Sequence, residues 1–371
     1  MTVHANITMR VAIICMLVAY SAACTPSETN ICMTVDLHAG ESGYYKLDRG
    51  NGFDTSGASP DITLKIGTTY IFDQSDATNW YHAVGFAYYP DGAHGDVWGG
   101  AERDEVEGAG ELQYKIDGAI PTCADAGSTG LDCYEPEFFL PRADWKAKKY
   151  TAELTITNAV ASASKGGVLY YFCHIHSKMS GRIIIKNADG SDYSSTSSPL
   201  TLYSPTTNDP FDMKCGTTAV SAFADGGAKQ CNMDFFGGDR NTDYEKCLHA
   251  IDCQMHWDMY TETTPNSDKI VTFMQQMIPH HQNAVNMAKL LLKQATQPEI
   301  EAVDGLEDIL HNIINTQNYQ VHQFRNYLNG TDVNKLLEDP EIIPPSVSAA
   351  VHIAQMYSSV VILLAAALMI H

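Results

Sequence analysis

Basic residues are scarce in this chain of 371 residues. Its 23 lysines and arginines stand against 44 aspartates and glutamates, a formal charge of −21. So acidic a surface repels phosphate, which excludes nucleic acid as a partner and favours a cation or a basic protein. Charged residues as a whole are also sparse, at 18%, whereas the hydrophobic fraction of 44% is ordinary for a globular chain; a disordered or fibrous protein is excluded. No internal repeat is visible. The apolar runs at the two ends, residues 11–23 and 360–370, fall short of the roughly 20 residues that a membrane-spanning helix needs.

Both ends read as processing signals. Arg10 precedes an apolar run of secretory length, and Ser21, Ala22 and Ala23 suit cleavage, so residues 1–23 are expected to be a signal peptide. A lipidated Cys24 is the alternative, for which Ser21 is a poor match. Near the other end Ser346 and Ser348 are candidate attachment sites, ahead of a polar spacer and a short apolar tail. Residues 346–371 thus have the pattern of a GPI-attachment signal, with a tail anchor or a buried terminal helix as alternatives. Asn329 opens an Asn-Gly-Thr acceptor sequon, which implies a glycoprotein. The expected location is the cell surface, held to the membrane through a lipid anchor.

Cysteine usage agrees with export. With Cys15 inside the signal and Cys173 set aside as a metal ligand, eight remain: Cys24, Cys32, Cys123, Cys133, Cys215, Cys231, Cys247 and Cys253. An even number suits disulfides in an oxidising compartment. Pairing neighbours gives Cys24–Cys32, Cys123–Cys133, Cys215–Cys231 and Cys247–Cys253, although spacing alone fixes no connectivity.

The hydrophobic period changes along the chain. Residues 61–66, 68–72, 81–88, 150–156, 167–172 and 182–186 are alternating, β-branched or aromatic runs separated by glycine turns, which argues a β-sandwich. A Ser/Thr/Pro-rich stretch, residues 189–210, reads as linker. Residues 244–260, 268–293 and 300–328 carry apolar side chains at three- and four-residue spacing, the signature of helices. The fold class is therefore multidomain, β followed by α. The expected divisions are a β domain over 32–190, a linker over 191–241 carrying Cys215 and Cys231, and a Met/His-rich helical domain over 242–332.

The densest chemistry lies at Tyr171-Phe172-Cys173-His174-Ile175-His176-Ser177-Lys178-Met179. A mononuclear electron-transfer copper site wants two imidazoles and a thiolate in a plane, with a weak axial thioether. A tight loop between two strands can deliver Cys173, His176 and Met179 together. An earlier imidazole, His82, completes the set. Read singly, Cys173 could equally close a disulfide and the histidines could lie on the surface, the role assigned here to His38 and His94.

These residues resemble the cupredoxin family, and the Cys-x-x-His-x-x-Met spacing resembles its short amicyanin-like ligand loop. The resemblance covers about residues 32–187 and implies a Greek-key β-sandwich with His82, Cys173, His176 and Met179 as copper ligands. The chain departs from it in the long stretch 92–149, which reads as an inserted loop pinned by Cys123 and Cys133. His174 beside Cys173 suggests a multicopper oxidase, but position 172 is Phe and no upstream His-x-His pairs supply a trinuclear cluster. A binuclear centre is excluded because the loop has no second cysteine.

The helical half holds Met274-Gln275-Gln276-Met277-Ile278-Pro279-His280-His281, with Ala284 and Met287 beyond, and Met255-His256-Trp257-Asp258-Met259 upstream. Mixed thioether and imidazole stripes suit Cu(I), although methionine stripes are also ordinary core filler. Pro279 is expected to kink or restart its helix. The pattern resembles a ferritin-like bundle family catalogued as domain of unknown function 305, which includes exported copper- or silver-binding proteins. The resemblance implies Met255, His256, Met259, Met277, His280, His281 and Met287 as ligands. Gln320 and Phe324 stand where an acid and a methionine are expected. The functions to weigh are a surface copper-binding or electron-transfer protein with a redox partner, and a surface metalloreductase or copper oxidase. No flavin, haem or trinuclear-copper motif favours the second.

Overall fold

The computed structural model describes residues 23–52, 59–92, 94, 105–124, 126–202, 209–235, 240–264 and 268–330. The two terminal signals, with Ser346 and Ser348, and the side chain of Asn329 lie outside the described residues.

The chain is mixed β and α, with its C-terminal part helical. One sheet runs in the order β2 (Tyr44–Asp48), β1 (Asn30–Asp36), β4 (Thr69–Asp73), β7 (Tyr150–Thr155) and β6 (Leu112–Ile116). The other runs β3 (Ile62–Lys65), β9 (Gly181–Lys186), β8 (Val168–Cys173) and β5 (Val84–Ala87). The pairs β1–β4 and β3–β9 are parallel and the rest antiparallel. Period-two burial explains the pairing. In β9, Gly181, Ile183 and Ile185 face the core while Arg182, Ile184 and Lys186 are half-exposed. Residues of both sheets, among them Ile31, Tyr45, Phe72, Phe86, Leu154 and Tyr171, share one buried core.

Two departures from the sequence reading have local causes. Of residues 81–88 only Val84–Ala87 is strand. Asp76 caps a 3-10 turn at Ala77–Asn79, Tyr81 takes φ +66°, and the His82 amide donates to the Asn79 carbonyl, so His82 enters on a turn. The stretch 92–149 is more than a loop. Its β6 pairs along its whole length with β7. Trp145, at the end of α2 (Arg142–Trp145), stacks on Tyr150 at 4.8 Å between ring centres.

Four helices make up the C-terminal part from residue 243: α5 (Asp243–Thr261), α6 (Lys269–Gln294), α7 (Gln297–Glu301) and α8 (Leu306–Gly330). Thr242 and Glu245 form a capping box on α5, and Asp268 accepts the Ile270 and Val271 amides to start α6. The helix α6 runs unbroken through Pro279, so it does not restart there. Val285 and Ala288 of α6, with Leu310 and Ile314 of α8, pack into the same core as the strands. Ion pairs and hydrogen bonds reinforce the seam. Buried Arg142 donates to Asp308 at 2.6 Å and to Glu307 at 3.0 Å, and buried Lys289 donates to the Gly40 and Glu41 carbonyls at 2.8 and 2.7 Å.

Cys24–Cys32 and Cys123–Cys133 pair as neighbours. The other four pair across, Cys215–Cys247 and Cys231–Cys253, correcting the neighbour pairing. The reason is packing. Cys215, Cys247 and Cys253 are buried in a second small core, which also holds Phe223 and Ile251 and seats the segment before α5 on that helix. Peptide mapping of the unreduced protein should therefore recover the peptide of Cys215 joined to that of Cys247. Closing a 32-residue loop stabilises by about 3.5 kcal/mol in the chain-entropy view, so a Cys215→Ser/Cys247→Ser variant should lose about that much in denaturant unfolding. Recovery of Cys215 joined to Cys231 would refute the crossed arrangement.

Candidate metal centre

The strand β8 ends at Cys173 and β9 begins at Gly181, so the intervening turn carries His174 to Ser180. Cys173 is paired in register with Val84 of β5, which places the turn holding His82 directly beside it. Gly85 makes this approach possible: a Cβ there would overlap the rings of Phe172 and His174.

The result is a tight triad. Cys173 Sγ lies 3.8 Å from His82 Nδ1 and 3.8 Å from His176 Nδ1, and all three side chains are fully buried. Metal–nitrogen and metal–sulfur bonds of about 2.0 and 2.3 Å, meeting at a trigonal angle, set the ligand atoms about 3.7 Å apart. The donor set therefore fits one ion. It is the one group of three or more His, Cys, Asp or Glu side chains among the described residues whose ligand atoms lie in reach of a common ion. Cys173 is also the one free cysteine among them. Met179 is fully buried in the core cluster that contains Cys173.

Burial dominates the electrostatics. It pushes the Cys173 thiol up to about 12, against the opposing pull of the His176 and Ile175 amides. The His176 N–H donates to the sulfur at 3.3 Å. Burial pulls His176 down to about 4 and His82 well below its usual value. Near neutral pH the empty triad is a thiol and two neutral imidazoles, so an entering cation must displace the thiol proton.

Surrounding groups fix the ligands, and the sequence gives no signal for most of them. The His82 carbonyl accepts from Gln74 Nε2 at 2.6 Å and from Tyr45 Oη at 2.8 Å. Both donors come from other strands or turns, so nothing local to His82 marks them. His94, expected at the surface, is buried with Nε2 2.7 Å from the Cys173 carbonyl. Its ring packs edge-on against His322 of α8 at 4.6 Å. His38 is half-buried with Nδ1 3.0 Å from the Gly216 carbonyl. His174, assigned no ligand role, points away from the triad, with Nε2 buried and 3.7 Å from Glu105.

The helical histidines belong to no such group of His, Cys, Asp or Glu among the described residues. His256 is exposed, packs on Phe235 and directs Nδ1 to the Asp252 carbonyl at 2.9 Å. His280 is exposed, while neighbouring His281 is half-buried beside Phe324, its Nδ1 buried without a partner. Met255, Met259 and Met277 are half-buried and Met287 is exposed. No curated protein and no solved structure matches this chain. Over residues 271–357 the chain matches the family model described as Domain of unknown function (DUF305).

Proposed function

We propose that the chain is a cell-surface copper-binding protein, with a mononuclear type 1-like redox site in its β half and a copper-capturing Met/His face in its helical half. The observation that carries this reading is the buried His82–Cys173–His176 triad with equal 3.8 Å sulfur–nitrogen separations. A thiolate with two imidazoles is the donor set that copper sites of the electron-transfer kind use, and Met179 is the nearest thioether in sequence to serve as axial ligand. Copper held there would supply one-electron chemistry. The protein's own residues do the rest: the Tyr45 and Gln74 donors hold the backbone of His82, His94 holds that of Cys173, and full burial excludes water and bulky substrates. Closed on all sides, the site suits electron exchange with a redox partner better than turnover of a substrate. Two sheets containing two parallel and otherwise antiparallel pairs support a cupredoxin-like arrangement of the β half. Residues 1–23 and 346–371 support export and a lipid anchor.

Adding Cu(II) to the protein should produce an intense visible thiolate-to-copper band that Cys173→Ser abolishes; a folded protein that shows no band overturns the reading. For the helical half, Ag(I) or Cu(I) is titrated into Cys173→Ser protein with and without His280→Ala/His281→Ala. Tight binding lost in the triple variant supports capture. Equal affinity in both returns the histidines to packing.

A further inference from the structure

The loop between Cys173 and Gly181 is gripped at both ends by one short turn that follows β5. The His94 amide donates to the Asp91 carbonyl at 2.6 Å, which closes the turn. Two side chains of this turn then reach opposite ends of the loop. His94 Nε2 lies 2.7 Å from the carbonyl of Cys173, where the loop begins. The Asp91 carboxylate accepts from the Lys178 amide at 2.6 Å through Oδ2 and from Ser180 Oγ at 2.7 Å through Oδ1, where the loop ends. Ser180 Oγ in turn accepts from the Asp91 amide at 2.7 Å. Between Lys178 and Ser180 stands Met179, whose carbonyl accepts from Ser59 Oγ at 2.9 Å. Asp91, Ser180 and Ser59 are all buried.

Backbone strain falls on the same residues. Six non-glycine residues among those described have positive φ, a conformation that costs an L residue energy and persists only where its surroundings hold it. Three of the six are Ser59 at +47°, Asp91 at +49° and Lys178 at +65°, and a fourth, Tyr81, precedes His82. A turn that only joined β8 to β9 would need none of this, since glycine at 178 would take the conformation freely. A buried carboxylate is also costly unless its oxygens are hydrogen-bonded, and both oxygens of Asp91 are engaged by the loop. We propose that Asp91 is a positioning residue of the metal centre, its carboxylate locking Lys178 and Ser180 so that Met179 stands on the axial side of the ion. Asp91 itself touches no ion. The inference rests on the proposed metal reading and deepens it: the turn at the head of stretch 92–149 becomes part of the scaffold of the site.

Amide hydrogen exchange in the metal-free protein reads the clamp before any metal is added. The Lys178 amide should exchange slowly although its side chain is exposed. Asp91→Ala should abolish that protection, while the His174 amide, bonded to the Ala83 carbonyl, keeps its own. The Cu(II) and Co(II) affinity of Asp91→Ala should fall about 10- to 100-fold, the usual cost of losing a group that orients a ligand. Its thiolate-to-copper band should shift as well. Asp91→Asn keeps an oxygen for the Lys178 amide, and the Ser180 hydroxyl can rotate to accept from the new NH2 group, so this variant should restore both affinity and band. The comparison that isolates Met179 uses a Met179→Leu background. Action through Met179 means that Asp91→Ala shifts the band of the native protein and leaves that of Met179→Leu protein unmoved. Should Asp91→Ala fail to fold, Ser180→Ala removes one of the two carboxylate contacts and goes through the same comparison. A Lys178 amide still protected in folded Asp91→Ala, or an equal band shift in both backgrounds, sinks the proposal. Should wild-type protein show the Asp91-dependent protection of Lys178 yet bind no copper or cobalt, the metal reading fails while the clamp on the loop stands.

Discussion

Lowering the pH of the metal-free protein from 7 to 4 is expected to unfold it. Burial holds His174 and His322 at about 3 and His176 and His311 at about 4, below the value near 6.5 of an imidazole in an unfolded chain. Between those limits the unfolded state binds more protons than the folded one, so stability is intact above pH 6.5 and is lost as pH falls. Each such group costs about 1.4 kcal/mol per pH unit. Two of them alone remove about 5 kcal/mol between pH 6.5 and 4.5, against a total of about 5–15 kcal/mol for a typical domain. The carboxyls of Asp36, Glu41 and Asp308, held below their usual range by Lys46, Arg325 and Arg142 respectively after the opposing effect of burial, add to the loss lower down. Far-ultraviolet dichroism with denaturant midpoints at half-unit pH steps measures this. His311→Gln should flatten the slope by about one proton. A midpoint that stays constant from pH 7 to 4.5 would show that the imidazoles are not buried as described.

The second large effect is on metal affinity, which should rise about tenfold per pH unit, or about a thousandfold between pH 5 and 8. The Cys173 thiol, pushed up to about 12, stays protonated throughout this window in the empty protein and must give up one proton per ion. The triad histidines add nothing to the slope, since His176 is neutral above about 4 and His82 is lowered in the same direction. Competition titrations at several pH values, with proton release measured calorimetrically in two buffers, give the slope and the stoichiometry together. A flat profile would mean that the thiol is not the ligand. Because bound metal favours the folded form, saturating copper should also move the acid midpoint downward.

The ligand loop was legible because strand, tight turn and strand compress Cys173, His176 and Met179 into seven residues. The partner His82 could be found because it follows a readable strand. The flanking strands β3, β4, β7, β8 and β9 were visible in period-two runs. By contrast β1, β2 and β6 are not legible in this way, and β6 lies inside a stretch that reads as a loop. Its identity depends on pairing with β7, where Lys115 also meets the carboxylate of Glu153, 38 residues away in sequence. Gln74 and Tyr45 carry no signal for the same reason: nothing in their own segments marks that they will donate to the carbonyl of His82. Tertiary contact decided the disulfides too, since Cys215 sits nearer in sequence to Cys231 yet packs on Cys247.

That crossed pairing bears on how the protein is made. During synthesis Cys231 is the first of the other three to follow Cys215, ahead of Cys247 and Cys253, so the first bond available among these four in an oxidising compartment is one the finished fold does not contain. Two routes lead out: oxidation waits until α5 has formed, or the early bond is exchanged through a thiolate attack. Cys24–Cys32 and Cys123–Cys133 face no such delay, because each partner follows within 10 residues. Maturation should therefore be biphasic, with the β half oxidised promptly and the helical half dependent on a disulfide isomerase. Cys173 emerges between the two sets as a free thiol, and its burial in the β core is what keeps it out of the shuffling.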